Sequence, residues 1–464
     1  MVFSSMLFLW IFLPLVLAAY YISPGKIRNG ILVFFSLLFY AWGEPLYVFL
    51  MLFSVAVNFT GGILIEKYQT RKKKILVATL IINLGLLGYF KYFGTLTEAI
   101  TGLFSADGTG TTLFQVALPI GISFYTFQAL SYVIDVYRGE VPAQHNFWHM
   151  LLYISFFPQL IAGPIVKYRD IAAQITGRKE TIRKFAAGIM RFCWGLGKKV
   201  LLANSFARVV DEIFKYGPYA VSRKALWLGA ILYMMQIYYD FSGYSDMAIG
   251  LGQMLGFNFN KNFDYPYIST SVSEFWRRWH ISLGSWFRDY IYIPLGGNRV
   301  STGRHIRNIL VVWALTGLWH GASWNFVFWG VYYGLLLLAE KFLLGRFLEK
   351  APVWLRNLYT MFAVIIGWVF FSQTTPAAIG KMLGAMFGLG ASCFADRASL
   401  YALKSGLILM IISVISCRPG LYQYFKRLAR RNTYLAAVIN AILFFLCIAY
   451  MIYSSYTPFM YQQF

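Results

Sequence analysis

Long apolar stretches, punctuated by short clusters of Lys and Arg, set the pattern of this chain. Met6–Ile22, Leu46–Ile65, Ile75–Phe90, Ile231–Leu255 and Ala436–Tyr453 approach the ~20 residues that a helix needs to cross ~30 Å of hydrocarbon. Lipid offers the backbone no hydrogen-bond partner, so such stretches must be helical. The pattern predicts an all-α polytopic membrane protein of about eleven to thirteen helices. No fixed-period repeat, heptad run or linker divides it, so residues 1–464 read as a single domain. Met1–Ile22 has no basic region before its apolar run and leads directly into another span, so it is expected to be retained rather than cleaved.

The basic clusters orient these spans, because Lys and Arg concentrate on the cytoplasmic side. Lys26 and Arg28 put the end of the first span inside and the N-terminus outside. The second span ends at an outer turn, Gly43-Glu44-Pro45, and the third returns to Lys67 and Arg71-Lys72-Lys73-Lys74. Residues 93–113 contain Glu98 and Asp107 but no Lys or Arg and read as an outer loop. Gly121–Tyr137 re-enters, and Lys167–Lys199, with nine Lys or Arg against two acids, forms a broad cytoplasmic face. At its leading edge Phe157-Pro158-Gln159 and Ala162-Gly163-Pro164 break an apolar stretch, which is tolerated at membrane depth where the backbone lines a cavity or packs inside protein. Arg299, Arg304, Arg307 and Lys341 all lie inside, so residues 309–338 cross an even number of times and turn at Trp319–Asn325. About a dozen residues, ~18 Å of helix, separate Asn308 from His320 and place that histidine near mid-membrane. Beyond Arg356, Leu358–Phe371 crosses outward and Thr374–Ala402 lies largely outside, with an interfacial helix as one form it could take. Leu407–Cys417 returns to Arg418, Lys426, Arg427, Arg430 and Arg431, and the last span leaves the C-terminus outside.

Composition sharpens the class. The chain is 59% hydrophobic, 19% aromatic and 13% charged, where a soluble domain carries roughly a quarter charged residues. The excess of 41 Lys and Arg over 18 Asp and Glu orients the protein on anionic lipid rather than marking a nucleic-acid surface, because the aromatics belong to apolar spans instead of interleaving with the basic residues. Cys193, Cys393, Cys417 and Cys447 show no paired metal-ligand spacing and read as unpaired packing residues.

Ionisable groups within the membrane are costly and point to function. His145, His149 and His305 sit near loop ends and read as solvated or interfacial. His320 lies at depth between Trp319 and Gly321, with Asn325 close behind; a desolvated imidazole stays neutral at pH 7, as a general base requires. A satisfied core histidine has the same sequence appearance. His280 ends Trp276-Arg277-Arg278-Trp279-His280, where guanidinium groups could bind the phosphates of coenzyme A or of an acyl carrier protein's pantetheine arm; an interfacial helix anchored by Trp and Arg would look alike. Asp240 and Asp246 flank Ser242 in an otherwise apolar stretch and demand counter-charge, for which Arg277–Arg288 is one source. No nucleotide-binding glycine loop, zinc motif or serine nucleophile elbow is present, so no metal and no bound cofactor is expected.

Together these motifs resemble the membrane-bound O-acyltransferase family and its bacterial alginate O-acetyltransferase branch. The resemblance is carried by Met1-Val2-Phe3-Ser4-Ser5, Pro119–Gln128, Phe157-Pro158-Gln159 with Ala162-Gly163-Pro164, Tyr239–Asp246, Phe275–His280 and Leu318-Trp319-His320-Gly321. It implies helices around a central funnel or tunnel, a catalytic role for His320 and a second functional role for His280. Trp276, Arg277, Arg278, Asp240, Ser242, Trp319 and Asn325 then become candidates for binding the donor or lining the tunnel. The tail Pro458–Phe464 resembles an aromatic motif of this branch, in which Tyr461 would relay the acyl group outside; an interfacial aromatic anchor would look alike.

The implied activity is transfer of an acyl group, acetyl before others, from a cytoplasmic thioester (acetyl-coenzyme A or acyl carrier protein) toward an extracytoplasmic polysaccharide, completed by a separate outer acetyltransferase. D-alanyl transfer to teichoic acid and flipping of a lipid-linked glycan are the alternatives. The expected location is the plasma or inner membrane, with both termini extracytoplasmic.

Overall fold

The structure is a computed structural model that describes residues 1–104, 117–390 and 392–454. Every regular element among them is helical, as the apolar pattern requires. Tyr47–Lys67, Lys72–Glu98, Trp324–Lys350, Val353–Ser372 and Thr433–Tyr453 are long and apolar enough to cross a membrane, and Gly406–Ser416 with Pro419–Arg431, bent by 75°, is a sixth candidate. The protein is thus a multi-pass membrane protein. Segmentation is finer than the sequence implies, because π-turns at Phe8–Phe12, Lys198–Ala203, Arg288–Tyr292 and Glu340–Leu344 interrupt the α-helices.

One expected loop changes. The helix Lys72–Phe104 runs through the first half of the predicted outer loop at residues 93–113, and the rest of that loop begins outside the described residues. Within Thr374–Ala402, for which a helix is among the expectations, a short helix forms at Pro376–Met386, capped by the Thr375 hydroxyl.

The chain forms two compact units, Met1–Phe192 with Met247–Asn260, and Cys193–Asp246 with Lys261–Phe464. In the first, the helices Tyr47–Lys67 and Lys72–Phe104 are joined by reciprocal amides: Asn58 donates to Asn83 at 2.9 Å and Asn83 to Asn58 at 3.1 Å. Such bonds between helices in lipid contribute about 0.6–2 kcal/mol each. The Pro/Gly-broken stretch at residues 156–166 is buried throughout, with Phe157 packed edge-on or tilted among Phe8, Phe12 and Phe39. It packs inside protein, where irregular backbone is tolerated, and it breaks into a separate turn at Phe157–Leu160.

The second unit holds an aromatic core that includes Tyr239, Tyr267, Trp279, Trp329, Tyr333 and Trp368. All the described candidate residues lie in it or on the helices that frame it. Tyr461 lies outside the described residues.

Candidate functional site

The turn expected at Trp319–Asn325 is present. One helix, Thr302–His320, ends at His320, and after Gly321–Ser323 a second, Trp324–Ala339, begins. The two pack so closely that a Cβ on Gly317 would overlap the Phe326 carbonyl and one on Gly330 the Trp313 carbonyl. Small residues let helix backbones approach in this way. They hold the hairpin tip, and with it His320, in a fixed place.

The His320 ring is buried, with 6% of its surface exposed. It stands edge-on to Trp329 and Phe371, each at 5.1 Å between centroids, and 4.9 Å from Trp319. Trp319 in turn lies 6.0 Å from His280. The indole therefore joins the two predicted histidines into one buried cluster, although they come from different elements.

His280 is positioned by the short helix Val272–Arg278. Its start is capped by the Ser271 hydroxyl, which accepts from the Glu274 N–H at 3.0 Å. Buried Glu340 reinforces this end: its carboxylate accepts from the N–H groups of Val272 and Ser273 at 2.5 and 2.9 Å and from the Ser273 hydroxyl at 2.8 Å. At the other end Arg278 bonds Glu274 at 2.9 Å and donates to the Asp264 carbonyl at 3.0 Å. The chain then turns through His280 with φ 43° and ψ 54°, a left-handed conformation that costs a residue with a Cβ about 1–3 kcal/mol. The imidazole meets Phe241 edge-on at 4.6 Å. Burial pushes its pKa down to about 3, which keeps it neutral across the physiological range.

The structure separates the remaining candidates. Trp276 joins the cluster through Trp313, Trp329 and Tyr333 at 4.8, 5.4 and 4.7 Å. Asn325 and Ser242 are buried, and the Asn325 Oδ1 and Ser242 Oγ have no hydrogen-bond partner among the described residues. Arg278 is committed to Glu274 and Asp264, whereas Arg277 is exposed and makes no ion pair among the described residues. The expected pairing of Asp240 and Asp246 with Arg277–Arg288 is corrected: Asp240 pairs with Lys199 at 2.6 Å and Asp246 with Lys198 at 2.7 Å. Gly243 allows this, since a Cβ there would meet the Gly195 carbonyl at 2.8 Å and the Lys199 nitrogen at 3.1 Å. The backbones touch, and the lysines reach the carboxylates. For His305 the solvated reading is corrected. It is buried rather than solvated, with Tyr292 at 3.0 Å and Lys341 at 3.3 Å from its Nε2.

Sequence reasoning missed Glu340 and Asn262. Glu340 stands in an apolar run beside Lys341 and carried a signal as a lone acid. Asn262, in Lys261-Asn262-Phe263, carried none.

A profile of MBOAT, the membrane-bound O-acyltransferase family, matches residues 140–380. A protein of Azotobacter vinelandii named as a probable alginate O-acetylase is 42% identical over 92% of this chain and 86% of its own length. A peptidoglycan O-acetyltransferase of Helicobacter pylori is 32% identical over 84% of this chain and 80% of its own length. A teichoic acid D-alanyltransferase of Bacillus subtilis is 27% identical over 48% of this chain and 59% of its own length.

Proposed function

Because the chain belongs to the membrane-bound O-acyltransferase family, we propose that it moves an acetyl group from a cytoplasmic thioester toward hydroxyls of an extracytoplasmic polysaccharide, with His320 at the reacting centre and His280 beside it. The observation that carries this reading is the cluster His280–Trp319–His320, two buried imidazoles joined by one indole. Similarity to proteins named for O-acetylation of alginate and of peptidoglycan extends over most of the chain, while similarity to the D-alanyltransferase covers 48% of it. Acetyl is therefore favoured over D-alanyl.

The chemistry needs little more than a base in a dry site. His320 takes the proton of an acceptor hydroxyl, the oxygen bonds to the thioester carbonyl carbon, and the carbon–sulfur bond breaks as the thiolate leaves and takes up a proton. Excluding water prevents hydrolysis of the thioester and strengthens each polar contact inside. The donor is acetyl-coenzyme A or an acetylated carrier protein, and exposed Arg277 is suited to meet its phosphate. The first acceptor is the phenol of Tyr461 on an extracytoplasmic C-terminus, the N-terminus lying on the same side. An outer acetyltransferase then passes the group to the polymer.

Cells expressing wild type, His320→Ala or Tyr461→Phe test this by the O-acetyl content and the amount of exported polymer. Loss of acetyl with the amount of polymer unchanged is expected for both variants. Loss of polymer itself would move the protein to export or synthesis.

A further inference from the structure

Asn262 is 1% exposed and precedes His280 by 18 residues. Its Nδ2 donates to the Ser245 hydroxyl at 3.1 Å. Its Oδ1 lies 3.1 Å from the Ser282 backbone nitrogen, 2.9 Å from the Ser282 hydroxyl and 3.1 Å from Nδ1 of His280. Its own carbonyl accepts from the Ile281 N–H at 2.9 Å. One asparagine thus grips the left-handed turn from both its side chain and its backbone.

The orientation of the amide follows from its neighbours. A backbone N–H can only donate, so the end of the amide that faces Ser282 must be the oxygen. The Ser282 hydroxyl also lies 3.5 Å from Nδ1 of His280, but its proton goes to the nearer Asn262 oxygen at 2.9 Å; that oxygen offers lone pairs and no proton, so Nδ1 carries the hydrogen between them. A neutral imidazole has a single N–H, and Nε2 is left with a bare lone pair. Nε2 is buried and has no hydrogen-bond partner among the described residues. An unmet buried acceptor is unfavourable, and a ligand that brings a donor removes that cost.

We propose that Asn262 is a positioning residue that fixes His280 as its Nδ1–H tautomer, so that Nε2 is presented as a hydrogen-bond acceptor to an O–H or N–H group of the bound substrate. The use of that acceptor rests on the acyl-transfer reading; the tautomer does not. The left-handed turn fits the same role, since strained backbone persists where its surroundings over-determine it.

The test uses the full chain in lipid nanodiscs with 15N-labelled histidine. Comparison with His280→Gln identifies the His280 signals. Wild type should show a protonated Nδ1 and a bare Nε2 at neutral pH, Asn262→Leu should lose that pattern, and Asn262→Asp, which keeps an acceptor against Nδ1, should keep Nδ1 protonated. A wild-type His280 protonated at Nε2, or an Asn262→Leu spectrum identical to wild type, overturns the proposal. In cells, Asn262→Leu should lower polymer O-acetylation by about tenfold, the effect of one lost interaction of about 1.4 kcal/mol in the transition state, with the Asp variant partly rescued. Unchanged acetylation in both His320→Ala and Asn262→Leu would defeat the transfer reading and leave the spectral result to decide the tautomer alone.

Discussion

Removing the carboxylate of Glu340 should release the helix that carries His280. This buried side chain accepts two backbone N–H groups and one hydroxyl, from Val272 and Ser273. The Ser273 hydroxyl can turn to another partner, but the two N–H groups at the start of a helix have none within it. Hydrogen bonds to a charged group contribute about 1.5–3 kcal/mol each, so Glu340→Ala should cost on the order of 3–6 kcal/mol. Glu340→Gln keeps an oxygen in place and lowers each bond to the neutral range of about 0.5–1.5 kcal/mol, so its cost should be roughly half as large. Thermal unfolding in detergent, followed by tryptophan fluorescence, should rank wild type above Gln above Ala. O-acetyl content should fall in the same order, because the helix leads directly into Trp279 and His280. An Ala variant as stable as wild type, or less damaging than Gln, would refute the idea that this carboxylate anchors the helix.

Gly330→Ala should destabilise the hairpin by about 1–3 kcal/mol, since its Cβ meets a backbone carbonyl that cannot rotate aside; the same unfolding scan reads it, and no loss would show that the two helices can separate. Arg277→Ala should weaken turnover at low acetyl-coenzyme A while leaving thermal stability unchanged. Arg278→Ala should do the reverse and lower stability, because it strips Glu274 and the Asp264 carbonyl of their partner.

The hairpin was legible in the sequence because its boundaries are written in charge. Arg307 and Lys341 bracket the two arms, and the polar and small run from Trp319 to Asn325 marks the tip. The helix that enters this tip ends on His320. The outer loop at residues 93–113 was misread for a related reason. Hydropathy reports which residues tolerate lipid, not where a helix stops, and the 33-residue helix Lys72–Phe104, about 50 Å long at 1.5 Å per residue, exceeds the ~30 Å of hydrocarbon. Its final turns need only to be helical.

Contacts between distant elements were not legible. The sequence establishes that Asp240 and Asp246 need positive charge, because a carboxylate cannot stay ionised alone in a dry interior. It does not say which charge, and Arg277–Arg288 was as reasonable a source as any. The choice is made by backbone geometry: Gly243 brings its helix against Gly195 and Lys199, and lysines from that neighbouring helix reach both carboxylates. Those pairs are closed elsewhere, and Arg277 is exposed and makes no ion pair among the described residues. The same logic applies to His280, whose tautomer depends on an asparagine with no periodicity or motif to mark it. In both cases the residue type announces a requirement, and the partner that meets it is chosen by how closely two backbones can approach.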